Sequence, residues 1–201
     1  RQSVRVFLHA GRRVGYVHFW HFLAGEMATI LREALADPFA ECDALVIDVR
    51  GRGGSPVVMD RILRGVTQGR ENAPWRDAVV CCIDEGSRSA KEIFAWKWRK
   101  AGLGPLVGRR TEGAVIASTF FPMHDGSMLL MGVRDVADMS GGEQLEGVGV
   151  APDIDVPGTL PFADGQDEIL ARALDVAAGR AKAGPRRAKP ASLPTPRRRA
   201  A

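Results

Sequence analysis

The chain has 201 residues, 45% of them hydrophobic, with a formal net charge of +4. That is enough for one sizeable core, and the absence of any run of about 18 apolar residues excludes a membrane-spanning helix. Its three cysteines, Cys42, Cys81 and Cys82, fit neither a disulfide framework nor metal-ligand spacing and read as packed thiols.

From the start, Val4-Arg5-Val6-Phe7-Leu8 alternates as a strand does. Arg1 leads straight into it without a secretory signal, which reads as a fragment or a processed chain. Residues 15–20, rich in aromatic and β-branched types, predict a second strand. Met27, Ile30, Leu31, Ala34 and Leu35 recur at helical steps, and Pro38 stops that helix. Residues 44–49 form an uninterrupted apolar run, the mark of a central parallel strand covered on both faces. The run ends in Arg50-Gly51-Arg52-Gly53-Gly54-Ser55, and a helix over 57–66 follows. A further strand over 79–83 leads through small residues into a helix over 91–100. Leu106-Val107-Gly108 continues the sheet; residues 119–122 and 127–133 flank the turn His124-Asp125-Gly126 as a hairpin. A closing helix spans 167–177, with Ile169, Leu170, Ala173 and Leu174 on one face.

This alternation of strands and helices predicts an α/β fold with a mostly parallel sheet flanked by helices. Residues 1–178 read as one domain and 179–201 as a disordered basic tail of Arg, Ala and Pro. That tail carries much of the positive charge and leaves the domain slightly acidic, so no specific nucleic-acid partner is implied.

Chemistry concentrates at the strand-to-helix junction Gly86-Ser87-Arg88-Ser89-Ala90-Lys91-Glu92. A helix opening at Ala90 aims free N–H groups outward beside the Ser89 hydroxyl, where they suit an oxyanion. Ser89 and Glu92 also spell Ser-x-x-Glu, a capping box that needs no chemistry. The glycines after Arg50 lack a P-loop's Lys-Ser/Thr and the Gly-x-Gly-x-x-Gly spacing, and Gly53 or Gly54 suits a second oxyanion donor equally well.

Taken in order, these motifs resemble peptidase family S41, the tail-specific and C-terminal processing serine peptidases. The carriers are residues 46–54, similar to the family's Asp-Leu-Arg-x-Asn-x-Gly-Gly turn, and residues 86–93, similar to its nucleophile segment. Three more follow: Val107-Gly108-Arg109-Arg110-Thr111-Glu112-Gly113, then Asp125-Gly126-Ser127, and the run 145–153 ending in Gly149-Val150-Ala151-Pro152-Asp153. The resemblance covers about residues 14–177 and implies a crotonase/Clp-like spiral fold. It implies Ser89 as nucleophile, Ala90 with Gly53 or Gly54 as oxyanion hole, protein or peptide substrates that add as a strand, and no cofactor or metal. A homo-oligomer and an exported, periplasmic or cell-envelope location are further expectations from the family, whose peptide-recruiting PDZ module is absent here.

One departure matters. Most members carry a Lys base immediately after Thr-x-Gly, and here Ala114 stands there. A serine hydroxyl without a base attacks poorly. The tricorn-like branch instead uses Ser-His-Glu, and Glu146 sits at the matching place. The base histidine then comes from outside the chain or from His18, His21 or His9; His124 reads as an exposed turn residue. Lys91, two residues along a helix from Ser89, is a poorer base. The alternative is an inactive S41-like module that binds peptides or apolar ligands. An acyl-CoA enzyme of crotonase type ranks below both.

Overall fold

Apolar runs without polar interruptions need cover on both sides, and the architecture supplies it. The structure is a computed structural model that describes residues 3–69, 71, 73, 75–158 and 165–181. Its elements are β1 (Val4–His9), β2 (Arg12–His18), α1 (Glu26–Ala36), β3 (Ala44–Asp48), α2 (Pro56–Gly69), β4 (Val79–Ile83), α3 (Ala90–Lys100), β5 (Leu106–Gly108), β6 (Ala117–Pro122), β7 (Met128–Arg134), β8 (Ile154–Asp155) and α4 (Glu168–Arg180). Six strands form one sheet in the order β1-β2-β3-β4-β5-β8. The β1–β2 pair is antiparallel and every other pair is parallel.

The period-two alternation of a strand sorts the apolar side chains into two cores. Leu45 and Ile47 of β3, with Val79 and Cys81 of β4, face Leu31 of α1, Met59, Ile62 and Val66 of α2, and Phe94 and Trp98 of α3. Their neighbours Ala44, Val46, Val80 and Cys82 turn the other way, onto Ile169, Ala173, Leu174 and Ala177 of α4. One helix thus covers a whole face, and all three cysteines are free and buried.

That single helix is tied down where the sheet ends. Asp48, the last residue of β3, is fully buried on the α4 side. It accepts the Tyr16 hydroxyl at 2.9 Å and the Arg50 guanidinium at 2.7 to 3.1 Å. Arg50 also makes two 2.7 Å bonds to Asp167. Asp167 in turn caps α4 by accepting the Leu170 N–H at 2.9 Å. Burial works against the Arg50 charge, but its bonds to Asp167 and Asp48 outweigh that and hold the guanidinium firmly protonated.

The structure departs from the sequence reading in several places: β2 runs over Arg12–His18 rather than 15–20, and α2 extends to Gly69. β8 is only two residues long and was not anticipated. Helix α4 runs to Arg180, two residues past the expected boundary, with Ala181 as its C-cap, while residues 182–201 of the expected tail lie outside the described residues. The β6–β7 hairpin forms as expected around Asp125 and Gly126, yet it stands apart as a separate two-stranded sheet with almost every side chain exposed. No helix among the described residues is long and apolar enough to cross a membrane.

The Arg50 link gives a stability prediction. Arg50→Met leaves the Asp48 carboxylate buried without its counter-charge, so urea unfolding should report a loss of about 3 kcal/mol, and adding Asp48→Asn should recover part of it. Strictly additive losses would mean the two side chains are not coupled.

Candidate active site

Strand β4 delivers the chain to a turn that is stitched to the end of β3. The Asp84 carboxylate accepts the N–H groups of Gly86 at 3.0 Å and Gly51 at 3.3 Å. The buried Ser87 hydroxyl lies 3.1 Å from both the Val49 carbonyl and Asp84, and accepts the Asp84 N–H. The next turn of chain brings Ser89 to the N-cap of α3 with φ 55° and ψ −128°. A non-glycine residue in such a sparsely populated region stores roughly 1–3 kcal/mol of strain, which surrounding contacts must hold.

Those contacts converge on Glu92. This carboxylate is fully buried. It accepts the Thr111 hydroxyl and the Gly113 N–H, both at 2.6 Å, on one oxygen, and the Ala114 N–H at 2.8 Å on the other. The second oxygen also accepts the Ser89 N–H at 3.2 Å, which is shared with the Ala114 carbonyl at 2.9 Å. The carboxylate half of the capping box is therefore real, and it sets the backbone of Ser89 rather than competing with a chemical role.

The glycine turn arrives from the other side. A Cβ on Gly53 would lie 2.7 Å from Ser89 Cβ and 2.8 Å from the Arg88 carbonyl, so only glycine lets the turn sit this close. Gly54, at φ +153°, lies in a parallel bridge with Phe22: the Phe22 N–H donates to the Gly53 carbonyl at 3.0 Å, and the Ser55 N–H to the Phe22 carbonyl at 2.9 Å. Among the described residues the N–H groups of Gly53, Gly54 and Ala90 meet no protein acceptor. Ser89 itself is partly exposed.

Glu146 packs one residue beyond Ala114. One of its oxygens accepts the N–H groups of Val115 at 2.6 Å and Ile116 at 3.0 Å, and the other is bonded to nothing among the described residues. The histidines differ. His18 lies on a cleft of about 700 Å³ with Trp20, Gly51 and Arg88, its Nε2 3.1 Å from the Arg50 carbonyl. A carbonyl only accepts, so Nε2 carries the proton and Nδ1 is the basic nitrogen. In His21, Nδ1 already accepts the Leu23 N–H at 3.1 Å. His9 is not brought to the site: it bonds Asp175 on α4 at 2.7 Å, at the β1–β2 turn, the opposite end of the sheet. His124 is exposed in the β6–β7 turn. Among the described residues no histidine hydrogen-bonds Ser89.

Lys91 is no base for Ser89. Its side chain is fully buried, and its ammonium donates to the carbonyls of Phe19, Trp20 and Arg50, the latter two at 2.9 Å. Burial draws this group down to about 7, with Asp48 and Asp84 opposing. Neither this cage nor the contacts of Glu92 to Thr111, Gly113 and Ala114 were visible in the sequence, where Glu92 reads as a capping-box carboxylate and Lys91 as a poorer base.

A family model for Peptidase family S41 matches residues 55–156. The chain belongs to peptidase family S41. Among curated relatives it is 31% identical over 208 residues to tricorn protease homolog 1 of Streptomyces coelicolor, covering 94% of this chain and 19% of that protein. It is 26% identical over 148 residues to the tricorn protease of Thermoplasma acidophilum, covering 65% and 14%. The chain thus spans 14 to 21% of the length of the tricorn and tricorn-like relatives it matches. The S41 fold is borne out by solved structures: the tricorn protease (TM-score 0.59, 21% identity, 81% of this chain and 17% of that one) and the photosystem II D1 C-terminal processing protease (TM-score 0.57, 22% identity, 85% and 49%).

The central carboxylate can be tested within this S41 domain. Glu92→Gln keeps the shape but turns one acceptor into a donor facing N–H groups, so chemical denaturation should report a loss of about 2–3 kcal/mol. A change below about 0.5 kcal/mol, the level of an ordinary surface substitution, would remove Glu92 from its central place.

Proposed function

We propose that this domain is the serine peptidase part of a tricorn-like S41 enzyme that cleaves within extended peptide or protein chains. The observation that carries the reading is Ser89 in a strained positive-φ conformation at the start of α3, pressed against Gly53 with free N–H groups beside it. Ser89 Oγ attacks the scissile carbonyl carbon, and its proton passes to an imidazole. The carbonyl oxygen becomes an oxyanion held by the N–H groups of Ala90 and Gly53, with Gly54 adjoining. Collapse releases the amine, protonated by the same imidazole, and leaves an acyl-enzyme that water hydrolyses.

Glu146 fits the role of orienting that imidazole, because its second oxygen stays open beside the Ala114 to Ile116 segment. His18 is the better placed of the two internal histidines by its tautomer, since its free nitrogen is the basic one. No organic cofactor or metal takes part in these steps. The tricorn relatives are named as proteases, which supports the same class of reaction here.

A fluorophosphonate probe on the purified full-length protein tests this reading. The wild type should label, and Ser89→Ala should abolish labelling with the fold unchanged by circular dichroism. Glu146→Gln should slow labelling roughly 10²-fold, the scale of an acid–base contribution. Loss of labelling in His18→Ala or in His21→Ala names the base, and retention in both places it beyond these residues. A wild type that fails to label, yet binds peptides, would instead favour the inactive binding module that Ala114 suggests.

A further inference from the structure

Lys91 is a full-length amine sealed inside the protein, with no carboxylate in direct contact among the described residues, and three backbone carbonyls converge on it. Carbonyl oxygens aimed at one point repel one another unless a donor lies between them, and a buried acceptor stripped of its donor costs the full desolvation of that group. The three oxygens do not belong to α3. Phe19 and Trp20 come from the chain just after β2, and Arg50 opens the glycine turn. The ammonium also sits 5.4 Å from the centroid of the Phe22 ring, which packs against Phe19 and Phe94.

These contacts lead to the reaction centre by a short route. Phe22 is bridged to Gly53 and Ser55, and Gly53 lies against Ser89. Trp20 covers Gly51, whose added Cβ would stand 3.3 Å from the indole ring. On the helix side, Lys91 directly follows Ala90. The same residue that extends the nucleophile helix by one step therefore holds the segment that carries the opposing N–H groups.

We propose that Lys91 is a positioning residue that fixes the glycine turn against Ser89, so that the Gly53 and Ala90 N–H groups point at one oxyanion. This rests on the peptidase reading and adds to it the side chain that builds its anion pocket. Lys91 touches no substrate and moves no proton.

The test uses Lys91→Met, similar in length and without donors, in the full-length protein, beside Val66→Ala as a core substitution on α2, away from the Lys91 cage. Saturation kinetics with a fluorophosphonate probe separate probe binding from bond formation. Lys91→Met should lower the limiting labelling rate about 100-fold, the scale of losing one oxyanion donor, with the half-saturating probe concentration unchanged. Amide exchange should quicken selectively at Phe22 and Ser55, whose N–H groups make the bridge. Val66→Ala should lower the melting temperature while keeping the labelling rate within about threefold of wild type. If Lys91→Met does not fold, Lys91→Gln, which keeps two donors, should fold with an intermediate rate. A folded Lys91→Met or Lys91→Gln that labels at the wild-type rate overturns the proposal and leaves the peptidase reading intact. A wild type that never labels overturns the peptidase reading itself.

Discussion

The site depends on one buried carboxylate. Glu92 gathers a hydroxyl and three N–H groups from two separate stretches of chain, and the donors of Thr111, Gly113 and Ala114 would be orphaned without it. A charge in the interior is tolerated only when its lone pairs are filled, and here they are filled by the groups whose placement matters most. The carboxylate thereby holds Ser89 in a backbone conformation that the residue would not adopt alone. It also sets the loop through Ala114, from which Glu146 takes its two N–H donors. Remove that anchor and neither the angle of the hydroxyl nor the wall beside it is defined.

Lys91 and Glu92 are adjacent, oppositely charged and both sealed from water, yet they reach in different directions and bond no part of each other. One grips the chain after β2 and β3, the other the chain after β5. The first turn of α3 thus gathers the carboxyl ends of the parallel strands, the region in which open α/β sheets bind ligands. Arg50 adds a third fastening: its carbonyl meets Lys91 while its guanidinium bridges Asp48 to the cap of α4. The helix covering one face of the sheet is in this way coupled to the turn on which the anion pocket stands.

Much of this was legible in the residues, and the limits of legibility have physical causes. The runs in β3 and β4 could be read because strands covered on both faces have no polar side to display. Ser89 and the Arg50 turn could be placed because a parallel strand must end where a helix begins. Lys91 and Glu92 could not, since their burial comes from segments about 70 residues before and 20 residues after them folding over the helix start. The Ser-x-x-Glu spacing marks Glu92 as a capping carboxylate, but nothing local marks either residue as buried. β8 escaped notice because two residues carry no periodicity. His9 looked as eligible as His18 until the antiparallel β1–β2 pairing carried it to the far end of the sheet.

The β6–β7 hairpin has a consequence for the protein in solution. From residue 117 to 133 its only formal charge is Asp125 at the turn, while Phe120, Leu129, Leu130 and Met131 stand open to water and, among the described residues, both outer strand edges are unpaired. Bare edges template hydrogen bonding with other chains, and an uncharged greasy ribbon offers no repulsion to prevent it. Colloidal behaviour is therefore set here rather than in the core: a well-folded preparation of these residues alone carries its own seed for sticking to itself, and one lysine in mid-strand is the natural gatekeeper.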